Sequence, residues 1–239
     1  MQGFLSNSLL LTRPVLGNKE FADTIKSSSK NVEIVYGSLL EIKYKTLKEK
    51  SFNSRAVIFT SRNGVESTKS ISFNPNCLAF CVGDATARAA QLAGFHVKSA
   101  EGDVRDLLKL IKKNFSSGEG EIHYFRGKHI AFDISLHLKN LGYRVKEWVC
   151  YTAIPVTLDK KIVNDIKMSL IGAAVFFSKR SAEHFCDLID SLPEGFAVFC
   201  ISTHVSEVLE KKFPETKLTS FVADSPNMSS MLKLILAAY

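Results

Sequence analysis

An apolar run ending in serine and a cation occurs twice in this 239-residue chain. Val57-Ile58-Phe59-Thr60-Ser61-Arg62 returns as Ala174-Val175-Phe176-Phe177-Ser178-Lys179, with Ser178 standing 117 positions after Ser61. At nearly the same spacing, Ala79-Phe80-Cys81-Val82-Gly83-Asp84-Ala85-Thr86-Ala87 is answered by Val198-Phe199-Cys200-Ile201-Ser202-Thr203-His204-Val205-Ser206. Amphipathic stretches at 104–113 and 228–238 close the two copies. A period this long exceeds that of any solenoid repeat and marks a duplicated domain. Two related domains normally leave a cleft between them, and that is where a ligand is expected.

Short runs rich in Val, Ile and Phe alternate with segments of helical period, the pattern of βα units with parallel sheets. Strands are expected at 8–12, 32–36, 56–60, 78–82, 121–125, 145–150, 173–177, 197–201 and 218–222. A helix is expected at 85–93, capped by Asp84 or Thr86 and ended by Gly94. A second repeat joins Leu10-Leu11-Thr12-Arg13 to Tyr124-Phe125-Arg126-Gly127, with Arg126 standing 113 positions after Arg13. Mid-chain the serine unit comes first, then the glycine-turn unit, then the arginine unit. At the two ends the arginine unit leads and its companions come last. The simplest solution is an α/β fold of two similar domains with parallel sheets flanked by helices, one inserted into the other. The inserted domain is residues 46–150, the discontinuous one is 1–36 plus 161–239, and 37–45 and 151–160 are linkers.

Hydrophobic residues make up 46% of the chain, enough for two compact units. The net charge of +7 favours anionic partners. Its cations are scattered as Lys48/Lys50, Lys112/Lys113, Lys160/Lys161 and Lys211/Lys212 and form no single block, so an acidic small molecule is expected and nucleic acid is not. Cys77, Cys81, Cys150, Cys186 and Cys200 include no C-x-x-C pair and read as buried free thiols of a reducing cytosol. Neither they nor the six histidines have metal-ligand spacing, so no metal is expected. Arg13-Pro14 interrupts the N-terminal apolar run, and no stretch approaches the ~20 residues that span a bilayer. A cytoplasmic monomer without membrane contact is the expectation.

Ser61 and Ser178 end strands ahead of helices, at the carboxyl edge where open α/β sheets bind ligands. Both also suit helix N-capping, and the two roles are compatible, because free N–H groups at a helix start attract carboxylates. Gly83 opens a strand-to-helix turn with a single glycine and is not a dinucleotide fingerprint; Thr86 either caps that helix or offers its hydroxyl to an anion. Arg13, Arg126 and Lys128, just past strand ends, are either salt-bridge partners or carboxylate clamps. Tyr151 ends a strand at the start of a crossover. Its phenol, with an ordinary pKa near ~10, is a proton donor at neutral pH. No Ser-His-Asp set or carboxylate pair is evident, which leaves covalent hydrolysis without a carrier.

Taken in order, these motifs resemble uroporphyrinogen-III synthase over essentially the whole chain. The resemblance rests on Thr12-Arg13-Pro14, Phe59-Thr60-Ser61-Arg62-Asn63-Gly64-Val65, Val82-Gly83-Asp84-Ala85-Thr86-Ala87 and Arg126-Gly127. It continues through Gly142-Tyr143-Arg144-Val145 leading to Tyr151, Phe176-Phe177-Ser178 and Ala223-Asp224-Ser225-Pro226-Asn227. It implies two α/β domains joined by a two-stranded linker, with the active site in the cleft. It also implies conversion of the linear tetrapyrrole hydroxymethylbilane to uroporphyrinogen III, with loss of water, inversion of the last pyrrole, and no metal or organic cofactor. Carried over by position, Ser61, Thr86 and Ser178 with neighbouring amides would hold substrate carboxylates. Tyr151 would help the hydroxyl depart. The second threonine of the family pattern falls on Val205, so that Thr203, His204 or backbone alone takes its place. The competing readings are a two-domain binding protein that closes on an acidic metabolite and a two-domain α/β transferase.

Overall fold

The structure is a computed structural model and describes residues 6–29, 31–130 and 132–239. The chain opens with β1 (Ser8–Leu11), α1 (Val15–Ser28), β2 (Glu33–Tyr36), β3 (Leu40–Tyr44) and β4 (Ser51–Phe52). Next come β5 (Ala56–Phe59), α2 (Arg62–Glu66), β6 (Ser72–Phe73), β7 (Leu78–Cys81), α3 (Asp84–Leu92), β8 (His96–Ser99) and α4 (Val104–Asn114). They are followed by β9 (Glu121–Gly127), α5 (Ile134–Asn140), β10 (Arg144–Pro155), α6 (Lys160–Lys167) and β11 (Ala173–Phe176). The last elements are α7 (Lys179–Leu188), β12 (Ala197–Cys200), α8 (Thr203–Lys212), β13 (Thr219–Val222) and α9 (Met228–Ala238). Contacts gather them into two compact units, Met1–Glu41 with Ile154–Tyr239 and Ile42–Ala153.

The first unit holds a five-stranded sheet in the order β13-β12-β11-β1-β2, parallel at every pairing. Strands β1, β11 and β12 are buried along their whole length, as expected where helices cover both faces. Side-chain alternation divides the core: Leu9 and Leu11 join Phe21, Ile25, Met231 and Ile235 of α1 and α9 on one face. On the other, Leu10 and Phe176 join Phe185 of α7 and Val205 and Leu209 of α8. Each such side chain contributes roughly 1.5–3 kcal/mol on burial, so a single register slip, which would exchange the two faces, is strongly disfavoured.

The second unit's sheet runs β3-β10-β9-β5-β7-β8, parallel from β10 to β8. Lys45 N–H bonds to Cys150 O at 2.8 Å and Val156 N–H to Leu39 O at 3.0 Å, so β3 runs antiparallel along β10. Pairing β1 with β9, β11 with β5, β12 with β7, β13 with β8 and β2 with β10 makes the two orders coincide. This is the permuted duplication that the repeat spacing implied. Of the six strands, β3 alone has no counterpart in the five-stranded sheet.

Two local expectations are corrected. Gly83 is the N-cap of α3 and has no side chain to cap with, so neither Asp84 nor Thr86 caps the helix; Asp84 instead accepts from Ser99 Oγ at 2.8 Å. Gly94, at φ +91°, does end it. Strand β10 continues to Pro155, so Tyr151 lies inside a strand and not at its end. Leu40–Tyr44 is a strand beside β10, in keeping with a two-stranded linker, whereas the β8 edge was not anticipated.

Candidate active site

Parallel pairing brings the carboxyl ends of a unit's strands to one edge. In the Ile42–Ala153 unit that edge carries Ser61 after β5, Gly83 after β7, and Arg126, Gly127 and Lys128 at the end of β9. Tyr151 joins them through a bulge. The β9–β10 register passes from Val149 opposite Arg126 to Tyr151 opposite Gly127, leaving Cys150 as the extra residue that re-aims the tyrosine. The Tyr151 ring then lies against Gly127, where a Cβ would stand 2.8 Å from Cε2, so a side chain there would displace the ring. Lys128 N–H donates to Tyr151 O at 2.9 Å, while the Lys128 side chain is exposed.

The Tyr151 hydroxyl lies 2.6 Å from Ser61 Oγ. Ser61 is itself fixed as the N-cap of α2, accepting from Gly64 N–H at 3.3 Å. Gly64 lets that helix press on β9, since a Cβ there would stand 2.7 Å from Phe125 O. Burial pushes the Tyr151 phenol above its usual range, with the Ser61 hydrogen bond pulling the other way, so it is protonated at neutral pH. Ser61 has one hydrogen to give and one lone pair already engaged by Gly64. When it donates to Tyr151, the phenolic hydrogen is left for another acceptor.

Arg126 donates from Nε to Glu147 Oε2 at 2.6 Å and from Nη1 to the Gly127 carbonyl at 3.0 Å. Burial works against the Glu147 carboxylate, yet the hydrogen bond and charge of Arg126 hold it below the usual range. Thr86 is the third residue of α3, 6% exposed, with its N–H on Gly83 O at 3.1 Å.

The other unit carries its own edge residues. The Arg13 guanidinium lies 4.4 Å over the Phe177 ring, and buried Asn18 fixes the Arg13 backbone through Oδ1 at 3.0 Å and Nδ2 at 2.6 Å. Ser178 caps α7, accepting from Ser181 N–H at 3.1 Å. Thr203 is the exposed first residue of α8. Val205 has the backbone geometry of Thr86, its N–H on Ser202 O at 3.0 Å, but its side chain belongs to the core. All five cysteines are buried thiols, and burial pushes Cys81 and Cys200 up to about 12, which leaves them unreactive. Among the described residues no His, Cys, Asp and Glu side chains gather as a metal site, and no helix is long and apolar enough to cross a membrane.

Sequence reasoning missed Tyr44 and Asn63. The Tyr44 hydroxyl donates to Asn63 Oδ1 at 3.1 Å, and its ring stands 6.3 Å from that of Tyr151. Asn63 sat inside a recognised motif, whereas Tyr44 lay in a segment read as linker.

Residues 23–233 match the family model HEM4, described as uroporphyrinogen-III synthase HemD. The chain belongs to the uroporphyrinogen-III synthase family. Its fold is similar to that of uroporphyrinogen-III synthetase from Helicobacter pylori 26695, at 19% identity over 97% of this chain and 99% of the other, with a TM-score of 0.64. A mutant uroporphyrinogen III synthase from the extremely thermophilic bacterium Thermus thermophilus aligns at 13% identity, 97% and 98% coverage and a TM-score of 0.54. No curated protein matches the chain significantly. As a uroporphyrinogen-III synthase, the chain is a hydro-lyase of heme biosynthesis that closes hydroxymethylbilane to uroporphyrinogen III. Nothing in these similarities points to a hinge-closing binding protein.

Proposed function

We propose that in this reaction Tyr151 is the proton donor to the departing hydroxyl, and that the carboxyl-edge residues of both units hold the substrate's carboxylates. The observation that carries this reading is the 2.6 Å contact between Tyr151 and Ser61, made by a ring seated on Gly127. The C–O bond of the hydroxymethyl group breaks, the phenolic proton leaves with the hydroxyl as water, and a cationic azafulvene remains. Attack on that carbon by the substituted α-carbon of the last pyrrole gives a spiro centre, whose older bond to the bridging methylene then breaks. The free α-carbon of the same, now inverted, pyrrole captures that methylene, and the proton lost from this carbon restores the phenol.

Ser61, Thr86, Ser178 and Thr203, with Gly83 and its neighbouring amides, are proposed as carboxylate partners, and Arg13 and Lys128 as cationic ones. Hydrogen bonds to charged groups contribute about 1.5–3 kcal/mol each, so a handful can bend a flexible polyacid into the reactive shape. Arg126 is engaged by Glu147 and the Gly127 carbonyl, which supports a part in shaping the floor under Tyr151 alongside any contact with substrate. We also take the domains to be 1–36 with 161–239 and 46–150, joined by 37–45 and 151–160. The division of contacts at Glu41/Ile42 and Ala153/Ile154 supports this. Buried thiols support a cytoplasmic setting and scattered cations support work without nucleic acid, and we take the protein to act as a monomer.

The test is incubation with freshly generated hydroxymethylbilane and identification of the porphyrinogen isomer. The wild type is expected to give isomer III. Tyr151→Phe is expected to slow turnover roughly 10²–10⁴-fold, the range of a positioned acid, while retaining isomer III. A Tyr151→Phe variant as fast as wild type would refute the donor role. Complete inactivity in a folded variant would refute the claim that positioning dominates.

A further inference from the structure

Tyr151 has a second phenol beside it. Tyr44 ends β3, the strand absent from the five-stranded sheet, and its ring meets the Tyr151 ring at 6.3 Å and 56°. Its hydroxyl is tied to Asn63, two residues past Ser61 in the first turn of α2. The next residue, Lys45, donates its N–H to the carbonyl of Cys150, the bulged residue before Tyr151. Two phenols on neighbouring strands are therefore fastened to one helical turn, Tyr151 through Ser61 and Tyr44 through Asn63.

Gly127 gives the Tyr151 ring a floor but, lacking a side chain, no wall. A donor that must meet a leaving group needs its ring fixed to within a fraction of an ångström, and misplacement by about 1 Å costs on the order of 10²-fold. Tyr44 supplies a lateral contact and the Asn63 bond keeps it in place. Burial, then the charge of Glu66 and the neighbouring Tyr151, push the Tyr44 phenol up to about 12, so it donates to Asn63 throughout the neutral range.

We propose that Tyr44, anchored on Asn63, is a positioning residue that holds the Tyr151 phenol against Ser61 while hydroxymethylbilane loses its hydroxyl. This rests on the reading of Tyr151 as the donor. The experiment is a double-mutant cycle with hydroxymethylbilane as substrate, reading kcat, KM and the isomer formed. Tyr44→Leu is expected to lower kcat about 10–10²-fold with KM within about twofold of wild type. Tyr44→Phe, which keeps the ring but loses its tie to Asn63, is expected to recover only part of that loss and to match Asn63→Ala. In a Tyr151→Phe background Tyr44→Leu is expected to cost nothing further, because its effect passes through a hydroxyl already removed.

A folded Tyr44→Leu enzyme with wild-type kcat overturns the proposal, and so does an equal loss in the Tyr151→Phe background. If Tyr44→Leu does not fold, judged by Trp148 emission, Asn63→Ala releases the same hydroxyl without touching a ring. A wild-type kcat in Asn63→Ala then overturns the proposal as well. Failure of the underlying reading looks different: Tyr151→Phe alone would then turn over at the wild-type rate.

Discussion

Thr86 and Val205 occupy the same place in the two copies, third residue of a helix whose N-cap carbonyl accepts their N–H, at 3.1 and 3.0 Å. That equivalence was legible as sequence spacing. The capping role offered for Thr86 was not realised, because Gly83 already occupies the cap and Thr86 lies too far into the helix to reach it. Since valine is accommodated in one copy at 2% exposure, Thr86→Val should fold in the other, where threonine is 6% exposed. Only a hydroxyl is lost. If that hydroxyl meets a substrate carboxylate, the lost hydrogen bond is worth about 1.5–3 kcal/mol, so kcat/KM should fall roughly 10–150-fold with thermal stability nearly unchanged. Wild-type kinetics in a folded Thr86→Val enzyme would return the residue to a purely structural part. The capping by Ser61 and Ser178 was readable, because a serine between a strand and a helix start is a favoured N-cap. Tyr44 was not, because nothing in Leu40–Tyr44 shows that its last residue reaches Asn63.

At the scale of elements, strands buried on both faces announced themselves as unbroken apolar runs, and β5, β7, β11 and β12 were found close to their expected positions. Edge strands were harder. His96–Ser99 alternates exposed and half-buried positions and carries His96 and Lys98, as an edge does, so its sequence reads as loop. Strands β9 and β10 share a polar contact with a measurable consequence. Trp148 Nε1, which can only donate, bonds to His123 Nδ1 at 3.2 Å, so the neutral ring carries its hydrogen on Nε2, 3.1 Å from Glu121. Burial lowers the His123 pKa below 6.5; Glu121 raises it and Lys146 lowers it, and burial prevails. A group favoured neutral in the fold binds fewer protons there than in the unfolded chain. Its stabilising effect is therefore complete above about pH 6.5 and declines as pH falls toward the folded-state value. Trp148 is the single tryptophan, so its emission should change below about pH 6.5. A flat profile, or the same profile in His123→Gln, would remove His123 as its cause.

For the whole molecule, the duplication was the most legible property, because strand cores and turns keep their residue types even when the chain order is permuted. Spacing could not reveal β3, which belongs to no repeat and so has nothing to be compared with. The net charge of +7 acts at this same scale, and it bears on how a polycarboxylate arrives more than on the fold. Long-range attraction is screened over about 10 Å at 0.1 M salt and about 3 Å at 1 M, whereas hydrogen bonds to a seated carboxylate act at contact distance. A neutral phenol such as Tyr151 adds little salt dependence to the step it serves. Raising salt from about 0.05 to 0.5 M should therefore lower kcat/KM roughly tenfold or more, leave kcat within about twofold, and leave isomer III as the product. If kcat/KM stays flat across that range, the basic charge has no part in capture. If kcat falls in step with it, the charges act on the chemical step and the division between capture and dehydration is wrong.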